Sequence, residues 1–168
     1  MWRIATPSVS VIDTATNVVV ATISVGAEPF GVGIIPDVPF LAFGANLVIA
    51  FAGVPNPDSF ALQTSFILSS TAPAINPLTE AVTLQAGTFA GTIPPGSFVE
   101  TMQGFFVFAG LINGVFLEAA IEHTGTLRYA FQAKAVNANL TGTTNPVPVR
   151  LSIGVDMGTT SVTALIFH

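Results

Sequence analysis

Charge is what this 168-residue sequence has least of. Asp, Glu, Lys and Arg together make up 8% of it, against about 25% in ordinary soluble domains. Cysteine is absent, which excludes a disulfide framework, a thiolate metal site and a cysteine nucleophile, and identifies no compartment. The only basic residues are Arg3, Arg128, Lys134 and Arg150. They are scattered, so nothing can neutralise a phosphate backbone and nucleic-acid binding is not expected. Exposed helix faces need Glu and Lys in number, and neither is available. Trp2 and Tyr129 are the sole residues of their kinds, too few for a stacking platform that holds sugar rings. No apolar run reaches the ~18 residues of a membrane helix, because Gly or Pro interrupts each one first. The opening MWRIATPSVS lacks a basic segment followed by a long apolar one, so no signal peptide is visible. A secreted chain already trimmed would read the same.

What is present is β-forming. Hydrophobic residues make 51% of the chain, fourteen of them Phe, and mean hydropathy is +0.73. Val, Ile, Thr and Phe favour pleated structure. Val9 and Val11, then Val18 and Val20, flank Asp13-Thr14-Ala15-Thr16-Asn17, a strand, polar turn and strand. Leu41, Phe43, Ala45, Leu47, Ile49 and Phe51 share one face by alternation, as do Phe60, Leu62, Thr64, Phe66 and Leu68. Residues 81–93 read as one strand ending at Pro94-Pro95-Gly96. Residues 105–111 and 115–121 flank Asn113-Gly114, a strong hairpin signal. Leu127, Tyr129, Phe131, Ala133 and Ala135 alternate along another strand. Residues 147–153 and 161–167 complete roughly ten strands with no sustained helical period. The fold class expected is all-β, an antiparallel β-sandwich of immunoglobulin-like or jelly-roll type with an N-terminal hairpin.

Residues 9–37, VSVIDTATNVVVATISVGAEPFGVGIIPD, resemble the YVTN family β-propeller repeat of bacterial and archaeal cell-surface proteins. The likeness rests on Val9, Val11, Ile12, Asp13 to Asn17, the VVATI run that follows, Val25, Gly26, Pro29, Gly31, Val32, Pro36 and Asp37. It covers about a sixth of the chain. Val38 stands where that family usually has Gly, and no second copy follows. One repeat cannot close a propeller, so the resemblance implies a blade hairpin that has joined another sheet. The rest of the chain resembles a secreted bacterial β-domain found with such proteins, through INPLTE, TLQAGTF, TIPPGSF, LTGTTNPV and GTTSVTA. That likeness implies an extracellular or cell-surface sandwich without known catalysis. The division expected is residues 1–38 as hairpin segment and 39–168 as sandwich.

An isolated sandwich should carry polar outward faces, yet Val48, Ala50, Phe105, Val107, Ala119 and Ala120 crowd the second faces here. Burial against neighbouring subunits explains this best. A lipid-facing barrel would need a polar interior that the alternation does not supply, so membrane insertion is not expected. The reading is therefore a non-enzymatic structural subunit of an extracellular fibre, sheath or layer. It would form a homo-oligomer or filament by β-strand addition through Val9, Val11, Ile12, Val18, Val19, Val20, Ile23 and Val25. The alternative is an accessory module that binds carbohydrate or protein.

Chemistry-bearing motifs are few. LSIGVDMGTTSVTALIFH resembles the first phosphate-binding hairpin of the sugar-kinase, actin and chaperone ATPase superfamily, which would make Asp156 metal-facing and Gly158, Thr159 and Thr160 a phosphate turn. No further element completes such a site, so no nucleotide is expected, and residues 147–167 read as a plain hairpin turning at Asp156-Met157-Gly158. Glu118 and Glu122 share a strand face with His123 opposite, an arrangement typical of an exposed face. No cofactor is expected; calcium at Asp13, Asp37, Asp58 or Asp156 is the one ion weighed, and ordinary turn chemistry accounts for those residues. Asn139-Leu140-Thr141 matches a glycosylation acceptor.

Overall fold

The computed structural model describes residues 8–13, 18–24, 37–52, 57–70, 72 and 74–168. They divide into two units, Met1–Ile35 and Pro36–His168. Among them there is no helix, and no helix long and apolar enough to cross a membrane.

The first unit holds one antiparallel hairpin, β1 (Ser8–Asp13) with β2 (Val18–Ser24). The second is a β-sandwich of two sheets that pack against each other and do not close into a barrel. Its strands are β3 (Val38–Pro39), β4 (Ala42–Ala50), β5 (Asp58–Ile67), β6 (Val82–Ala86), β7 (Phe89–Ile93), β8 (Val99–Met102), β9 (Phe105–Ile112), β10 (Val115–Gly125), β11 (Arg128–Ala138), β12 (Val147–Ile153), β13 (Asp156–Val162) and β14 (Leu165–Phe167). Seven strands run β14-β4-β5-β11-β10-β9-β8, and five run β3-β13-β12-β6-β7.

Alternation builds the core between the sheets. Ile49, Leu62, Phe66, Leu117, Ile121 and Phe131 point inward from the larger sheet. Leu84, Ile93, Val149, Leu151 and Ile153 meet them from the smaller one. Leu41, read as part of the inward face, precedes β4 and is 73% exposed. The Asn113-Gly114 turn forms as expected: both residues sit at positive φ, 53° and 82°, which suits the twist of a two-residue hairpin.

Three features depart from the sequence reading. Residues 81–93 are two strands rather than one, because Gly87 takes φ 61° and turns the chain between β6 and β7. The β12–β13 hairpin turns at Gly154 (φ 57°) and Val155, since Ile153 pairs directly with Asp156. Asp156 and Gly158 therefore belong to a strand, not to a turn. Finally, not every ladder is antiparallel: β14 runs parallel to β4, and β3 parallel to β13. The chain changes sheet five times, after β3, β5, β7, β11 and β13. At the last of these the Asn145 side chain accepts a hydrogen bond from the Ala164 N–H (2.7 Å) and donates one to the Ala164 carbonyl (3.0 Å). Its amide replaces a strand neighbour just where β13 ends and β14 begins.

Candidate assembly surfaces

The hairpin supplies the first candidate surface. Its register sets Val9 opposite Ile23 and Val11 opposite Ala21, with Ser8 opposite Ser24 and Ser10 opposite Thr22. Partners in register share a face, so Ala21 and Ile23 lie on one face and Ser8, Ser10, Thr22 and Ser24 on the other. The register then shifts: Ile12 pairs with Val19 and Asp13 with Val18, leaving Val20 as the extra residue of a bulge. Val18, Val19 and Ile23 are 56%, 52% and 54% exposed. Val25 lies outside the described residues. Among the described residues no third strand joins this pair. A lone two-stranded ribbon is marginal in water.

The sandwich offers four sheet edges. Three are blunted in the ways that oppose edge pairing. The β14 edge is three residues long, and the β3 edge is two residues that include Pro39. The β8 edge is four residues, carries Glu100, and is interrupted by a register shift between Glu100 and Met102. The fourth edge, β7, has five residues (Phe89, Ala90, Gly91, Thr92, Ile93) with no charge, no proline and no bulge. Its free side has no strand partner among the described residues.

The outer faces of the two sheets differ in kind. On the five-stranded sheet the outward positions are mostly polar: Thr83, Gln85, Thr92, Arg150, Ser152, Thr159 and Ser161, beside Ala90, Pro148 and Met157. The Thr83 and Thr92 hydroxyls bond each other at 2.9 Å, and Arg150 pairs with Asp37 at 3.6 Å. On the seven-stranded sheet the ladders place Phe167, Ala50, Ser59, Val136, Phe116 and Leu111 in one row across the strands. The next row is Leu165, Val48, Ala61, Lys134, Glu118 and Ala109. The third is Asn46, Gln63, Gln132, Ala120, Val107 and Val99, and the fourth Gly44, Ser65, Ala130, Glu122, Phe105 and Met102. Charge appears in these rows only at Glu118, Glu122 and Lys134. Val136 is 52% exposed, Leu111 71% and Phe167 53%. Of the residues that the sequence pattern placed on crowded second faces, Val48, Ala50, Phe105, Val107 and Ala120 lie in these rows, whereas Ala119 is 5% exposed and belongs to the core.

The remaining candidates from the sequence resolve locally. Glu118 faces Lys134 and Glu122 faces Ala130 across the ladder, while the His123 ring lies 4.9 Å from that of Tyr129. Asp58 accepts backbone N–H groups from Ala52 (3.3 Å) and Leu140 (3.2 Å), the ordinary work of an acidic residue beside a loop. Asn139 accepts the Thr141 N–H at 3.1 Å, a local turn. Among the described residues no three His, Asp or Glu side chains come together in a way that could hold a metal ion.

Asp156 was missed as an interior residue. Its side chain points between the sheets and is 1% exposed, and neither carboxylate oxygen has a hydrogen-bond partner among the described residues. Burial, and then the nearby Glu80 carboxylate, push its pKa up from the ordinary value. Gly158, two residues on, passes beneath Phe40 and Phe43 so closely that a Cβ would lie 2.5 and 2.6 Å from their ring carbons. Of the residues that resemble a phosphate turn, Asp156 and Gly158 thus face the core as a carboxyl and a packing glycine, while Thr159 is exposed on the outer face.

A comparison with protein-family models, curated proteins and solved structures finds no match to this chain.

Proposed function

We propose that this protein is a non-enzymatic structural subunit that polymerises by β-strand addition, as part of an extracellular fibre, sheath or layer. The observation that carries the reading is the β1–β2 hairpin. It is a two-stranded ribbon with exposed Val18, Val19 and Ile23 and no third strand among the described residues, and such a ribbon gains most by joining a sheet. The acceptor is the β7 edge of a neighbouring copy, because β7 alone among the edges lacks charge, proline, bulge or extreme shortness. Backbone hydrogen bonds would supply strength, and the alternation of Val and Ile with Ser and Thr would set register. Donor and acceptor are different surfaces of one chain, so the contact is head-to-tail and propagates instead of closing.

The test is electron microscopy and light scattering of the full chain in detergent-free buffer, beside two variants. Ile23→Lys places a charge on the apolar face of the donor, and Thr92→Lys places one on the acceptor edge. Filaments in the parent chain that disappear in both variants support the reading. A parent chain that stays monomeric at every soluble concentration refutes it.

A further inference from the structure

The hairpin and the β7 edge leave the apolar outer face of the seven-stranded sheet unused. We propose that the outer face of the seven-stranded sheet packs against the same face of a second copy, about a two-fold axis, in a contact separate from strand addition.

Solvent-facing strands of an antiparallel sheet carry polar residues, and the five-stranded sheet obeys this with Thr83, Gln85, Arg150 and Thr159. The seven-stranded sheet does not, although it belongs to the same domain. Composition alone therefore cannot account for its Val136, Phe116 and Leu111 row; coverage can.

The occupant follows from area, shape and charge. Six inter-strand spacings of about 4.8 Å give a width of about 29 Å, and strands of about eight residues at 3.3 Å give a length of about 26 Å. The face therefore spans roughly 750 Å², and a pair of such faces buries about 1,500 Å², the size of a stable specific interface. Ala61, Ala109, Ala120 and Ala130 keep its middle low, as sheets that stack about 10 Å apart require. Ala109 and Ala120 floor a hollow of about 330 Å³ that an opposing apolar side chain can enter. Both signs of charge occur on the face. Lys134, the sole lysine, has no ion pair among the described residues. Glu118 and Lys134 are partners across the β10–β11 ladder, so a two-fold axis that runs along the strands between them would set Lys134 of each copy over Glu118 of the other, and the surface would complement itself. A strongly acidic or basic partner would be repelled by one of these groups.

The experiment uses the full chain carrying Ile23→Lys, which is designed to remove strand addition and changes no residue of this face, so failure of either contact can be seen apart from the other. Sedimentation velocity should give a dimer. Adding Ala120→Lys should weaken dimerisation at least tenfold while circular dichroism and thermal midpoint stay unchanged. Val136→Lys, near the edge of the face, is the second variant should the first misfold. Lys134→Glu alone should weaken the dimer, and Lys134→Glu with Glu118→Lys should restore it. A chain that remains monomeric in the Ile23→Lys background overturns the proposal. Monomers that bind phosphatidylcholine vesicles assign the face to lipid instead, and a dimer indifferent to Ala120→Lys places the interface elsewhere.

Discussion

Replacing Asp156 with valine should make the sandwich more stable, although it removes a charge from a chain that has few. The carboxyl points into the core from the first position of β13, opposite Ile153 on one side and Val38 on the other. It is 1% exposed, and both oxygens lack a partner among the described residues. An unsatisfied buried polar group costs about 1–3 kcal/mol even when neutral, and its ionised form costs more. Valine has similar volume, favours strands and has nothing to desolvate. A gain of about 2 kcal/mol corresponds to roughly 8 °C in a domain of this size.

The pH dependence gives a second, sharper readout. Burial first and Glu80 second raise the folded-state pKa of Asp156, while the unfolded value stays near 3.9. Between those two values the folded chain binds the extra proton. The contribution of this group to stability is therefore complete below about pH 4 and declines as pH rises toward the folded-state value. Most carboxylates, depressed by partners, act in the opposite sense. Thermal melts followed by circular dichroism from acid to neutral pH should show the parent chain losing stability relative to Asp156→Val. Glu80→Gln should narrow the difference, since glutamine keeps an acceptor for the Asn76 N–H (2.5 Å) and removes the like charge. If Asp156→Val melts lower than the parent at neutral pH, or the gap between the two does not change with pH, the carboxyl is compensated and the reasoning fails.

Two other outcomes rest on the same end of the sandwich. Tyr129 is the only tyrosine, and burial, then the Asp156 charge, hold its pKa above the ordinary phenol value. The phenolate absorbance of the folded chain should appear at higher pH than in denaturant, and a normal titration would contradict this. Gly158→Ala should destabilise the domain by about 1–3 kcal/mol through overpacking against Phe40 and Phe43; denaturant unfolding measures it, and a neutral result would mean the two rings move aside freely.

Where outward residues are polar, the fold was legible residue by residue. In β12, Val147, Val149, Leu151 and Ile153 alternate with Pro148, Arg150 and Ser152, and the structure buries the first set. In β9 the letters Phe105, Phe106, Val107 and Phe108 carry no such contrast, because a period of two separates two faces without saying which is inside. Only the pairing of Phe106 with buried Ile121, and of Phe108 with Ala119, settles it. The interior position of Asp156 was hidden for a related reason. Asp-x-Gly reads as a turn, but Gly154 takes the left-handed turn position while Gly158 is needed flat beneath two Phe rings. Which glycine bends depends on what lies above each, and that is a tertiary fact.

The same ambiguity bears on what the molecule does. An edge strand is recognised by what protects it, and in the letters alone FAGTI is merely the end of a strand that began at residue 81. Once Gly87 turns the chain, those residues become an edge, and the absence of charge, proline and bulge acquires meaning. Likewise the sparsity of charge is a property of the whole sequence, but its consequence depends on placement. A polar outer face on the five-stranded sheet shows that this sequence can cover a surface with Thr, Ser, Gln and Arg. That it does not do so on Phe116, Val136 and Leu111 makes their exposure a selective feature of one face. A head-to-tail strand contact and a two-fold face contact would then act on different surfaces. The first extends a row of subunits, and the second joins two rows side by side. Single filaments from the Ala120→Lys chain and isolated dimers from the Ile23→Lys chain would separate the two.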